Sequence, residues 1–477
     1  MAVDRFSNLG PEDQALHNSW DNVARIVLMV TLFSITIWAA CTALRGAVHH
    51  AAHWLFHHTA GGFSWKTSGL LLAVLVTGGL VRGYIFRRSG WQKVAGDGMG
   101  VALDHYHCTY DHKENDPQPR YELPAFMLAI KKAFGTLLTL GTGGSGGLEG
   151  PVVMISESLS AGLARVVRIQ SEVELRTYQL AGIAAGVCTL LLAPFTSALF
   201  AIEAMYGDRL LYRKFAYALL GAMTAYILND VLIGFEPIFV AEPHLQTYTM
   251  TEYGISALVA VAVSAPVALA FGTVITQVDS LVSRVHPVLQ GGAGGLLTGL
   301  IAILLWWTVD LSPEHVLGMG EETMSALLQG ETEGGLGVWW VLLLALLGKM
   351  ATTGATIRSG GSAGLLIPSM FLGGVAGAAT AEILELTGLF ATVPVPLFVV
   401  VGIASSLVAV VGVPLAAIAL VLEVFGTHFG PPAALACGLT YVLTLRLTIY
   451  REQRRSPTPL ADETGGEPMM IPPTESD

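Results

Sequence analysis

A glycine-rich break occurs twice in this chain. Gly143–Pro151 reads GGSGGLEGP, and GGSAGLLIP follows at Gly360–Pro368, 217 residues further on. Extended backwards without a gap, Lys132–Pro151 matches Lys349–Pro368 at nine of twenty positions. A second block recurs at nearly the same offset: Leu180–Glu203 lies over Val400–Glu423, sharing Gly182/Gly402, Ile183/Ile403, Ala184/Ala404, Pro194/Pro414 and Glu203/Glu423. Both breaks interrupt apolar sequence. Unwound backbone at membrane depth is tolerated only where it is buried in protein or lines a cavity. Two long halves that each carry such a break therefore predict a repeat-built transporter, whose broken helices meet at mid-membrane with their N-termini facing the substrate.

Composition agrees. Hydrophobic residues make up 53% of the chain, 13% is charged and the mean hydropathy is +0.60. Soluble domains carry about 25% charge, so a polytopic all-α membrane protein is expected. Uncharged runs at Ile26–Leu44, Gly254–Val278, Val285–Val309 and Leu386–Leu422 are each close to or above the ~20 residues of a span, and the last, broken at Pro394 and Pro396, predicts two helices. On that ruler about a dozen spans are expected, some too short to cross fully. Residues 1–22 are polar and acidic with a span directly behind them, so no cleavable signal is expected. Cys41, Cys108, Cys188 and Cys437 are scattered, and predict small core residues rather than disulfides. The net charge of −11 comes largely from loops and both ends, and does not point to a nucleic-acid partner. Arg82, Arg87, Arg88 and Lys93 cluster after the second span, and Arg446, Arg451, Arg454 and Arg455 after the last. The positive-inside rule then places both clusters, and the C-terminus, in the cytoplasm.

The expected organisation is a polar segment over residues 1–24, a first transmembrane repeat over 25–235, a second over 250–450, and a disordered cytoplasmic tail over 451–477. Between the first two spans, His49, His50, His53, His57 and His58 read as an interfacial segment. Trp91–Glu122 is too polar for lipid. It opens with GDGMG (Gly96–Gly100), then carries His105, His107, Cys108 and His112, residue types that bind zinc when they converge. No second pair of ligands accompanies them, so a solvated loop is the expectation and no metal or other cofactor is assigned.

The chemistry concentrates at Glu149. It is an ionisable residue at the start of an apolar stretch, and a carboxylate near the bilayer centre costs about 2.5–3.5 kcal/mol on insertion scales, so it is expected to face a polar pathway. Pro151 suits a first helical turn, where its missing N–H is no loss. Helix N-termini present unpaired amides and about half a positive charge, a site for an anion. Gly364–Pro368 offers the same at the other repeat, so two N-termini can point at one ion. Ionised, Glu149 can occupy the anion's place; protonated, it leaves. The plainer alternative is a glutamate that only caps its own helix.

These stretches resemble the CLC family of chloride channels and chloride/proton antiporters. GTGGSGGLEGP is similar to that family's G-S-G-x-S-x-G-[RK]-E-G-P motif, and GGSAGLLIP with SMFLGG to its G-x-F-x-P segment. LAGIAAG and APFTSALFAIE resemble its A-P-L-A-G-x-L-F-x-x-E stretch, and LSPEHVLGMG one of its extracellular loops. The resemblance spans roughly residues 25–450. It implies two inverted-topology repeats of broken, tilted helices in a homodimer, each protomer with its own anion path. It further implies Glu149 as gating glutamate and proton carrier, amides at Gly147, Leu148, Gly150, Leu365, Leu366 and Ile367 toward the ion, and Tyr450 of LTIYRE beside it. Four positions in these stretches depart from the family pattern, one of them Gly100 of GDGMG where the family has a proline. Asp97 of GDGMG stands where the family has an anion-contacting serine, Leu366 replaces a phenylalanine, and Leu148 replaces the basic residue before the glutamate. Antiporters carry a paired E-E whose second member passes protons to the cytoplasm; here the pair reads Glu203-Ala204.

Transport of a small anion, chloride first, through a Glu149-gated path in the plasma membrane is the leading expectation, with weakly coupled proton exchange. A passive gated channel of the same fold is the alternative. A membrane metalloenzyme built on His105, His107 and Cys108 would belong to a different class, and lacks the Glu-assisted zinc pattern such chemistry needs.

Overall fold

In lipid a backbone group without an internal partner costs several kcal/mol, and a helix satisfies all but its ends, so the apolar runs fold as helices. The computed structural model describes residues 20–444 apart from 60–63, 89, 108–124, 170, 208–209, 236–238, 240, 242–247, 331–335 and 389–393. The first half contains α1 (Trp20–Thr59), α2 (Trp65–Ile85), α3 (Met99–Tyr106), α4 (Ala125–Leu140), α5 (Glu149–Val166), α6 (Glu172–Leu191), α7 (Pro194–Tyr206) and α8 (Tyr212–Leu232). The second half repeats the order. It runs from α9 (Met250–Leu258), joined through the π-helical Val259–Ser264 to α10 (Ala265–Val282), to α11 (Gln290–Val309), α12 (Glu321–Leu328), α13 (Trp339–Arg358), α14 (Leu366–Thr387), α15 (Val395–Val411), α16 (Pro414–Leu420) and α17 (Gly430–Thr444).

Burial separates centre from rim. Most residues of α5, α6, α14 and α15 are buried, the last turns of α14 excepted, as expected of central helices that others surround. By contrast α1, α2, α8 and α11 expose Leu28, Leu70, Val231 and Leu304, the surface a bilayer would cover. Seven helical stretches among the described residues are long and apolar enough to cross a membrane, and α15 and the α16 region are shorter. The halves lock together where helices cross on glycine. A Cβ at Gly79 of α2 would lie 2.1 Å from the Gly291 carbonyl oxygen of α11, and one at Gly291 would lie 2.0 Å from that of Gly79. Small residues give such crossings their close approach.

Three segments differ from expectation. Helix α1 runs unbroken through His49–His58, because no proline or glycine pair interrupts the run after Gly46. Helix α3 makes the start of the polar stretch a buried element, with Ala102, Leu103, His105 and Tyr106 all inside. The polar excursion after α11 contains α12, which matches α3 in length and in the left-handed glycine before it, Gly98 at φ 94° and Gly320 at φ 87°. The expected two helices between Leu386 and Leu422 are α15 and α16, separated at Gly412–Val413 before Pro414.

Each half also caps the other. Glu203, at the end of α7, accepts from the Leu415 and Ala416 amides at the start of α16 at 3.0 and 2.8 Å. Glu423 accepts in turn from Phe195 and Thr196 at the start of α7 at 2.9 and 2.7 Å. Both helices begin with proline, so these amides have no intrahelical acceptor. Glu203→Ala is expected to destabilise the fold by about 1–2 kcal/mol and Glu423→Ala, on the exposed side, by about 0.5 kcal/mol. The thermal midpoints of the detergent-solubilised variants measure this, and unshifted midpoints would show that solvent caps the helices equally well.

Candidate functional site

The two glycine-rich loops meet directly. Gly147 N donates to Gly364 O at 2.8 Å and Gly364 N donates to Gly147 O at 2.6 Å, a two-bond antiparallel bridge. Hydroxyls of each repeat hold the loop of the other. The Thr136 and Ser362 hydroxyls lie 2.9 Å apart, and so do those of Ser145 and Thr353. The Ser362 amide donates to Thr139 Oγ1, and the Ser145 amide to Thr356 Oγ1, both at 3.0 Å. Behind them sit two wholly buried lysines at matching positions. Lys132 Nζ donates to Val94 O and Gly96 O at 3.0 and 2.8 Å, and Lys349 Nζ donates to Leu317 O and Gly318 O at 3.0 and 2.8 Å. The loops before α3 and α12 are thereby folded in toward the bridge.

Immediately beyond the bridge start α5, at Glu149, and α14, at Leu366, with Pro151 and Pro368 in their first turns. The amides of Glu149, Gly150, Leu366 and Ile367 have no intrahelical acceptor, and both positive helix ends converge there. Glu149 is 1% exposed, and its Oε2 lacks a hydrogen-bond partner among the described residues. Its carboxyl lies against Gly147, where a Cβ would come within 2.5 Å of Oε2, and beside the Ile367 amide. This places the side chain across the gap between the two N-termini.

Asp97 belongs to the same cluster. Its Oδ1 accepts from the Leu365 amide at 2.8 Å and its Oδ2 from Met99 N at 3.1 Å. The carboxylate is tight against α5 as well, since a Cβ at Gly150 would lie 2.3 Å from Oδ1. Three of the six expected anion-facing amides are accordingly engaged in this conformation: Gly147 in the bridge, Leu365 by Asp97 and Ile367 by Glu149. Leu148, Gly150 and Leu366 are the other three. Tyr450 lies outside the described residues.

Over the bridge, a cavity of about 570 Å³ opens between α1 and the α12 loop, lined by His49, His53, Glu314, Gly318 and Glu321 among others. Gly318 O accepts from the Gly146 amide at 3.1 Å, so this vestibule abuts the Glu149 loop. His49 Nε2 is 3.7 Å from Glu321 Oε2, and burial raises the Glu321 carboxyl above the usual carboxylate range against the pull of Arg45 and Lys349.

Among the described residues no three His, Cys, Asp or Glu side chains converge on one point. His107 Nε2 bonds Met205 O at 3.0 Å, and His105 turns toward Lys93 and Glu157. Cys108 and His112 lie outside the described residues, while Cys41, Cys188 and Cys437 are buried free thiols. Sequence reasoning passed over Lys132 and Lys349, although their identity at the 217-residue offset was a visible signal. It also passed over Glu157, for which the sequence carries none.

The comparisons extend over the same residues. The profile of the voltage-gated chloride channel family matches residues 73–445. A "Chloride/fluoride channel protein" of Pseudomonas syringae pv. tomato is 24% identical over 439 residues, 91% of this chain and 87% of its own length. The "H(+)/Cl(-) exchange transporter ClcA" of Vibrio cholerae serotype O1 is 24% identical over 301 residues, 62% of each chain. Among solved structures, a CLC-type fluoride/proton antiporter superposes with a TM-score of 0.75 at 22% identity, covering 91% of this chain and 99% of its own. A slow cyanobacterial Cl−/H+ antiporter superposes with a TM-score of 0.74 at 17% identity, covering 88% and 94%. Members of this family move ions and are not enzymes. The two helix ends meeting at one bridge lie inside the matched segment, and the chain belongs to the voltage-gated chloride channel family, the CLC proteins.

Proposed function

We propose that this protein carries chloride through a path gated by Glu149, and exchanges it for protons with weak coupling. The observation that carries this is the buried Glu149 carboxyl set between the N-termini of α5 and α14, with an oxygen that no described residue bonds. Ionised, it occupies the place of the anion on the Leu366 and Ile367 amides. Protonated, it loses that attraction, swings toward the vestibule and lets an anion in. One group thus alternates with the substrate and moves a proton. Weak coupling follows from Ala204, which is wholly buried and offers no acceptor where antiporters resembling this chain have their second glutamate, so that a proton must take a longer route. Glu203 cannot stand in while both its oxygens cap α16.

Fluoride is the second anion to test, favoured by the chloride/fluoride relative that aligns with 91% of the chain. The protein is further proposed to act as a homodimer in the plasma membrane. The Arg87, Arg88 and Lys93 side, with the C-terminus, would face the cytoplasm.

The test is paired recording of anion and pH on liposomes holding the full chain, with chloride and then fluoride gradients. Anion efflux accompanied by proton movement against its gradient supports exchange. A reversal potential that tracks the anion alone, unmoved by pH, makes the protein a passive gated channel.

A further inference from the structure

Exchange requires a proton to pass between Glu149 and the cytoplasmic face, through an interior where an isolated charge is strongly disfavoured. The interior holds a second carboxylate on the gating helix itself. Glu157 lies on α5 eight residues beyond Glu149, about 12 Å along the axis and about 80° around it. It is wholly buried. Gln179 Nε2 of α6 donates to its Oε1 at 2.7 Å, and the Ser158 hydroxyl donates to its Oε2 at 3.1 Å. His105 Nδ1 of α3 approaches Oε2 at 3.8 Å, and its other ring nitrogen, Nε2, is 3.3 Å from Lys93 Nζ. Lys93 is exposed, and it follows Arg87 and Arg88, the cluster that marks the cytoplasmic side.

We infer that Lys93, His105 and Glu157 form the inner leg of the proton path, with Glu157 as the acceptor that Ala204 does not provide. This rests on the exchange activity proposed above. With the Lys93 ammonium donating to Nε2, the ring proton is assigned to Nδ1, facing Glu157. For outward movement, Lys93 passes a proton to Nε2 while the Nδ1 proton crosses to Glu157 Oε2. Lys93 is recharged from bulk water, and the protonated Glu157 delivers to ionised Glu149 along a transient file of water. Exchange of the His105 ring proton from Nε2 back to Nδ1 through water then restores the starting tautomer, so that each group ends as it began and one proton has moved; the reverse order carries a proton inward. Among the described residues, the polar and charged groups beside this leg include Arg176 and Gln179 on α6, Tyr106 and His107 on α3, and Tyr206 on α7. The Tyr106 and Tyr206 hydroxyls bond each other at 2.6 Å, and the Arg176 guanidinium lies 5.9 Å from the Tyr106 ring centre. Asp104 is on the exposed side of α3.

The same contacts could serve only to stitch α5 to α6, so the decisive readout is the ratio of protons to anions. Glu157→Gln keeps a side chain able to bond Gln179 and Ser158 but cannot take up a proton. In liposomes of the full-length protein, its chloride-driven proton flux is expected to fall about tenfold or more while anion flux stays within about twofold. Glu157→Asp, which retains a titratable carboxyl, should recover most of the ratio. His105→Gln should lower the ratio about threefold or more, and carries the test if Glu157→Gln fails to assemble. A wild-type ratio in Glu157→Gln, or in His105→Gln, overturns the relay, as does a proportional fall of both fluxes. Wild-type protein that moves anions without protons also overturns it and leaves anion transport standing. Wild-type protein that moves neither chloride nor fluoride removes the transport reading beneath it.

Discussion

Glu149→Gln is expected to abolish proton movement, by about 100-fold or more, while anion flux continues. Glutamine is close to isosteric with the buried carboxyl, so packing against Gly147 and the start of α14 is retained. It cannot bind or release a proton at any physiological pH, and it carries no charge with which to compete for the Leu366 and Ile367 amides. Loss of competition leaves the path open to anions more of the time. The measurement is pH and anion recording on Glu149→Gln liposomes under a chloride gradient. Protons still driven uphill would show that Glu149 is not the carrier. This result differs from that of Glu157→Gln in one respect: Glu149→Gln also removes any dependence of anion flux on the pH of the vestibule side.

Asp97→Asn is expected to tighten anion binding about tenfold. A unit negative charge within ~6 Å of an anion raises its energy by about 0.7–3 kcal/mol, for effective dielectric constants between those of water and a protein surface. Asp97 is that close to both helix ends, bonded to the Leu365 amide and pressed against Gly150. Asparagine keeps an oxygen for the Leu365 amide, so the cap on α14 survives and only the charge is lost. Titration calorimetry with chloride on purified protein reads the change, and an affinity equal to that of the wild type would place the anion beyond the reach of Asp97. Asp97→Ser would free the amide as well, and a second, smaller gain should separate competition for the amide from charge repulsion.

Much of the fold is legible in the amino-acid sequence alone. The 217-residue offset of the glycine loops, the prolines that follow them and the apolar runs around them determined a two-repeat helical membrane protein with paired helix starts at Glu149 and Leu366. These are local properties: spans are set by hydrophobic length, and helix starts by proline and glycine, so they survive being read in one dimension. The reach of each half into the other was not local. That Asp97 contacts the amide of Leu365, 268 residues away, follows from Lys132 and Lys349 drawing the loops before α3 and α12 onto the central bridge. The relation between α3 and α12 was hidden because GDGMG and GMGEE share too few residues to be noticed, although they fold alike.

The roles of the glutamates divide the same way. From sequence, Glu203 and Glu423 were one matched pair in the repeat; tertiary structure made each the cap of a helix in the opposite half, because only packing brings a free helix start within reach of a distant carboxylate. Glu157 was one more polar residue in ISESLS. What decided its character was the packing of α3 and α6 onto α5, which buries it and sets His105 and Gln179 beside it. Glu149 alone was marked in both, since its place between glycine and proline at a helix start is itself a one-dimensional signal. The sequence by itself determined the membrane, the repeats and the paired helix starts beside Glu149; the fold decided which buried charges face one another, because charge pairing across a bilayer-buried core is a matter of three-dimensional distance.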